Sequence, residues 1–152
     1  MTVGRRTARR KAVFILYQRD LLKLTLENAI RRYEENKPDE YTFALLKGAT
    51  CHETEIDKAL SSHISGWSID RLGVLERSIL RVAAYEMLWE SDVPSVVAID
   101  EAVVLAKRFC SDEAGALVNG ILGSMLSENS PCLNLGPSKE ERSNKEKNPS
   151  HE

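Results

Sequence analysis

The sequence predicts an all-α protein, and three observations carry that prediction. Apolar residues recur at three- and four-residue steps along most of the first 128 residues. No segment sustains the two-residue alternation and composition of a strand. Helix-breaking signals, among them Pro38, Gly66 and Pro94, divide the pattern into six or seven pieces joined by short loops. At 152 residues and 42 % apolar, the chain is large enough for one domain with a buried core.

The first helix is expected from Gly4 to Asp20, with Ala8, Ala12, Val13, Leu16 and Tyr17 as its inward stripe. A second follows from Leu22 to Asn36, facing inward through Leu22, Leu26, Ala29, Ile30 and Tyr33. Pro38 ends it and can open the next helix. Residues 39–65 contain no proline and a single glycine, which predicts one long helix, roughly 40 Å at 1.5 Å per residue. Its one glycine, Gly48, is expected where another helix comes close, since glycine in mid-helix otherwise costs about 1 kcal/mol. Gly66 closes that pattern, and residues 67–71 read as a short turn or helix.

Leu72, Leu75, Ile79, Val82 and Glu86 define a central helix from Leu72 to Glu90. Its Glu86 falls inward and requires a hydrogen-bond partner, while Glu76 is expected to be exposed. Ser91 to Pro94 form a turn. The next helix, Ser95 to Phe109, has acids early and Lys107 and Arg108 at its end, as the helix dipole favours. Ser111 is a good N-cap for the last helix, whose core stripe is Leu117, Val118, Ile121, Leu122 and Met125. Residues 1–128 therefore read as one helical domain. Residues 129–152, with three prolines and no aromatics, read as a disordered tail.

Charge is distributed unevenly. The first nineteen residues hold Arg5, Arg6, Arg9, Arg10, Lys11 and Arg19 and no acid, a +6 segment in a chain of net charge −2. Basic residues in a first turn oppose the helix dipole, so the cluster breaks a local rule where function is expected. Arginine binds phosphates bidentately, which makes a nucleic acid the natural partner. The overall pI near 6.0 confines that binding to the basic end.

Catalytic motifs are missing. Gly115, Gly120 and Gly123 lie within a helical pattern and form no phosphate loop. His52 and His63 are eleven residues apart, about 16 Å along one helix and too far to share a metal. Cys51 and His52 are adjacent, so on a helix they point about 100° apart. No catalytic residue, metal ligand or cofactor is assigned. Three widely spaced cysteines suit reduced thiols in the cytoplasm, and no apolar run approaches the roughly 20 residues of a membrane span. Of the aromatics, Tyr17 belongs to the inward stripe, whereas Phe109, at a helix end, fits either core packing or base stacking.

The order of these features resembles the NusB family of bacterial transcription antitermination factors. The resemblance rests on Arg5-Arg6-Thr7-Ala8-Arg9-Arg10-Lys11-Ala12-Val13, on the central stretch from Leu75 to Met87, and on Asp92-Val93-Pro94. It continues through Ala98-Ile99-Asp100-Glu101-Ala102-Val103, Leu105-Ala106-Lys107, Phe109 and Val118-Asn119-Gly120-Ile121-Leu122, and covers about residues 5 to 127. It implies two packed helical bundles. It also implies binding of single-stranded boxA-type RNA together with the ribosomal small-subunit protein NusE, and entry into an RNA polymerase antitermination complex, notably on ribosomal RNA operons. Arg5, Arg6, Arg9 and Arg10 would contact RNA, Phe109, Ser111 and Glu113 would border its path, and Glu76 would dock NusE. The sequence departs from the family at Glu113, where an aspartate is expected, and at Ala116 and Leu117, where some relatives carry a basic and an aromatic residue.

Two other functions stay open at this point. Similar domains occur fused to RNA cytosine methyltransferases, so a stand-alone module assisting ribosomal RNA maturation fits the sequence. An adaptor whose basic helix binds an acidic protein fits the charge alone. Apolar positions such as Val97, Val104 and Leu105 suit core burial, NusE contact or a homodimer equally.

Overall fold

The computed structural model describes residues 4–64 and 69–129; Asn129, expected to open the tail, still belongs to the last helix, and the rest of the expected tail, with residues 1–3 and 65–68, lies outside the described residues. Among those described there are seven α-helices and no strand. They are α1 (Arg5–Leu22), α2 (Leu26–Tyr33), α3 (Glu40–Cys51), α4 (Glu53–Ser61), α5 (Val74–Trp89), α6 (Ser95–Phe109) and α7 (Asp112–Asn129), with a 3-10 turn at Ile69–Arg71.

α1 begins without a side-chain cap or an acid in its first turn. Burial of Ala8, Ala12, Val13, Ile15 and Leu16 stabilises it despite the unfavourable dipole. It runs two residues beyond the expected end and stops at Lys23, which adopts a left-handed conformation at φ 55°. α2 is correspondingly shorter than expected. The Thr25 hydroxyl accepts from the Asn28 N–H at 3.1 Å and restarts the chain there as a helix. Asp39, directly after Pro38, caps α3 in the same way through Thr42.

The single long helix expected over residues 39–65 is two helices. His52, at φ −105° and ψ 18°, separates α3 from α4. Tertiary contacts hold the break. The His52 ring stacks on Trp89 at 4.1 Å. Beyond it, α4 directs Asp57 onto Arg81 with two hydrogen bonds of 2.8 Å, and Glu53 onto Arg19 at 2.8 Å. Arg81 is completed by Asp20 at 2.7 Å, so one nearly buried guanidinium ties α1, α4 and α5 together.

α5 is the axis of the molecule. Seven consecutive residues, Ser78–Ala84, are buried, so every face of the helix is covered. α1, α2 and α3 pack as one group, α4, α6 and α7 as another, and α5 contacts members of both. These are the two bundles the family resemblance implied. Gly48 performs the role expected of it, since a methyl group there would overlap the Tyr85 ring. His63, at the end of α4, is held between Ser124 at 2.7 Å and Glu128 at 2.8 Å, tying α4 to α7. No helix among the described residues is long and apolar enough to cross a membrane.

Candidate nucleic-acid interface

α1 and α6 both pack on α5 and meet each other through side chains. Arg6 on α1 pairs with Glu101 on α6, and Phe14 pairs with Phe109. Both pairs are 95 residues apart, so the two helices run parallel and in register over that stretch. The shared edge is cationic at its start and aromatic at its end, about 12 Å further on at the helical rise.

The four arginines of the first helix do not form one exposed strip. Arg6 points outward, with 84 % of its side chain exposed. Arg5 is half exposed. Its guanidinium lies 4.7 Å above the Tyr41 ring and donates to Asp92 at 2.7 Å. Arg10 is half-buried and makes no ion pair with any described residue. Arg9, expected at the RNA, is instead buried against Glu86. Its Nε reaches both carboxylate oxygens at 2.8 Å, and only 7 % and 1 % of the two side chains remain exposed. The helical period is the reason, because Arg9 shares a face with the buried Val13 and Leu16, four and seven residues on.

The inward Glu86 thus has its expected partner, and a second one in the Tyr41 hydroxyl, which donates at 2.5 Å. Burial, then the hydrogen bond and charge of Glu86, raise the Tyr41 phenol far above its ordinary value. For Arg9, burial works against the charge. The hydrogen bond and charge of Glu86 outweigh it and leave the guanidinium more basic than usual. Tyr41 therefore links a fully buried ion pair to the exposed Arg5 that rests on its ring.

At the aromatic end, Phe109 is 36 % exposed. Phe14 meets it edge to face at 4.9 Å, and Arg108 covers it at 5.0 Å. Tyr17, expected in the core, is only half-buried. Together with Leu21, Leu75, Glu76 and Phe109 it lines a recess of about 310 Å³. Glu76 is not the exposed residue expected; it is half-buried and faces the Cys110 thiol. Burial, then the nearby Glu76 carboxylate, push that thiol up to about 12. Ser111 does cap α7, since its hydroxyl accepts from the Ala114 N–H at 3.0 Å. Asp112 and Glu113 stand exposed in that first turn, close in sequence to Phe109.

Residues 6–127 match the NusB family. The chain belongs to that family. A transcription antitermination protein NusB from Bacillus subtilis (strain 168) is 40 % identical over 125 residues, covering 82 % of this chain and 95 % of the relative. The NusB of Halalkalibacterium halodurans is 35 % identical over 131 residues, 85 % of this chain and 98 % of that one. Among solved structures, T. maritima NusB superposes with a TM-score of 0.78 at 32 % identity, covering 86 % of this chain and 96 % of the other. A NusB chain from a crystal structure of the antitermination factors NusB and NusE with double-stranded RNA matches at TM-score 0.74 and 30 % identity, over 82 % and 96 % of the two chains.

The α1/α6 edge includes residues to which the sequence alone gave no binding role: Phe14, Tyr41, Asp92 and Glu101. Phe14 carries a weak signal, as an aromatic residue next to the arginines, whereas Tyr41 reaches them only through the packing of α3 on α1. The roles of the two acids are legible only once the α5–α6 turn and α6 are seen to lie beside α1.

Proposed function

We propose that this chain is a non-catalytic, cytoplasmic antitermination factor in which residues 1–128 act as one RNA-binding unit. The α1/α6 edge takes single-stranded boxA-type RNA, with Arg5, Arg6 and Arg10 at its phosphates and Phe109 at its bases. Ser111 shapes the start of α7 beside that path, and the exposed Glu113 sets a negative charge along it. The recess around Glu76 docks a NusE-type ribosomal protein, and the pair joins an RNA polymerase antitermination complex. Binding RNA and protein on adjoining faces raises avidity through effective concentration. The observation that carries this reading is the in-register edge that runs from the exposed Arg6 to the exposed Phe109. With Arg9 withdrawn, three phosphates are neutralised, and the log-log salt slope for single-stranded RNA is about −2.

The test is a fluorescence titration of a boxA-bearing RNA with and without NusE from the same bacterium. Binding is expected to tighten when NusE is present, and Glu76→Gln to reduce that gain by more than it alters RNA binding alone. An affinity that NusE does not alter overturns the two-partner reading. Equal affinity for boxA and unrelated RNA would favour a general module for ribosomal RNA maturation.

A further inference from the structure

Two acids reach the exposed arginines of α1, and their geometry differs. Asp92 makes a single contact to Arg5, with 63 % and 47 % of the two side chains exposed, an ordinary surface pair. Glu101 is anchored on α6 with only 14 % of its side chain exposed, while the Arg6 it holds is 84 % exposed. Its carboxylate takes the Arg6 Nε at 3.1 and 3.2 Å and Nη2 at 3.0 Å. A guanidinium has five N–H groups in a planar fork. Glu101 occupies one edge of that fork and leaves the Nη1–Nη2 edge free, on the side that faces solvent.

We propose that Glu101 is a positioning residue for RNA binding: it clamps the inner edge of Arg6 so that the outer edge is already aimed at a phosphate. The proposal rests on the α1 arginine reading above. Two effects of Glu101 oppose each other. Its negative charge repels a phosphate beyond Arg6, but that repulsion passes through exposed, ion-screened space. Its hold on Arg6 removes in advance the rotamer freedom that a long side chain otherwise loses on binding, and salt screens that benefit little. A half-buried, bidentate clamp under an exposed guanidinium favours the second effect.

The test is a double-mutant cycle read by anisotropy, with the full chain, a fluorescein-labelled single-stranded boxA RNA and several salt concentrations. Glu101→Ala is expected to weaken binding roughly three- to tenfold, and the isosteric Glu101→Gln less. In an Arg6→Ala background the same changes are expected to leave affinity unaltered, because the clamp has nothing to hold. Circular dichroism confirms folding, and the Gln variant carries the test should the Ala variant unfold. Unchanged or tighter binding by the Glu101 variants overturns the proposal, the tighter result marking Glu101 as a competing anion. So does an equal loss in both backgrounds, which places its action elsewhere than Arg6. If Arg6→Ala itself leaves binding intact, the arginine reading fails before the clamp is tested, and the two failures are thereby told apart.

Discussion

Replacing Arg9 with alanine separates the roles of neighbouring arginines. Arg9 lies with Glu86 in a site where 1 % of the Glu86 side chain is exposed, and the remaining partner of that carboxylate is the Tyr41 hydroxyl. Removing one member of a buried pair strands the other, at a cost of about 3–5 kcal/mol. For a domain of this size each kcal/mol lowers the melting temperature by about 4 °C, so Arg9→Ala is expected to melt about 12–20 °C early. Arg6→Ala, which frees the part-buried Glu101 from an otherwise exposed partner, is expected to cost only about 1 kcal/mol. The RNA signature is the reverse. Loss of Arg6 flattens the log-log salt slope by about 0.7, and loss of Arg9 leaves the slope of the folded protein unchanged. Thermal melting by circular dichroism, with anisotropy titrations below both transitions, reads the two quantities on the same samples. If Arg9→Ala melts with the parent protein and flattens the slope as Arg6→Ala does, the buried assignment of Arg9 is wrong.

Gly48→Ala drives a methyl group into the Tyr85 ring and is expected to cost about 1–3 kcal/mol in urea denaturation, with partial recovery when Tyr85 is also reduced to leucine. Cys110, raised by burial and by Glu76, stays a thiol at pH 8.5, so iodoacetamide followed by peptide mapping is expected to modify the exposed Cys51 well before it. The sign of the linkage follows from the raised thiol: its contribution to stability is complete below the ordinary thiol range, and it is lost as pH rises toward about 12. Comparable labelling rates at Cys51 and Cys110 in the native protein would contradict the Glu76–Cys110 arrangement.

Much of this protein is set by local pattern. Periodicity specified the helices and the inward Glu86, and cap and charge signals specified the stop at Phe109 and the Ser111 cap, because each depends on residues within a turn or two of one another. The arginine cluster was visible as charge. Its division was not, since which of four arginines turns inward depends on where α5 lies and on Glu86, 77 residues further along the chain. Residues 39–65 were misread for the same reason: nothing local interrupts them, and the break at His52 is held by Trp89 and Arg81 from another helix. Sequence by itself determined that helices form and that a basic one leads. Only the tertiary structure decided which guanidinium is buried, which is clamped and which faces outward, because a side chain's electrostatic partner is chosen by packing across the chain and not by its neighbours along it.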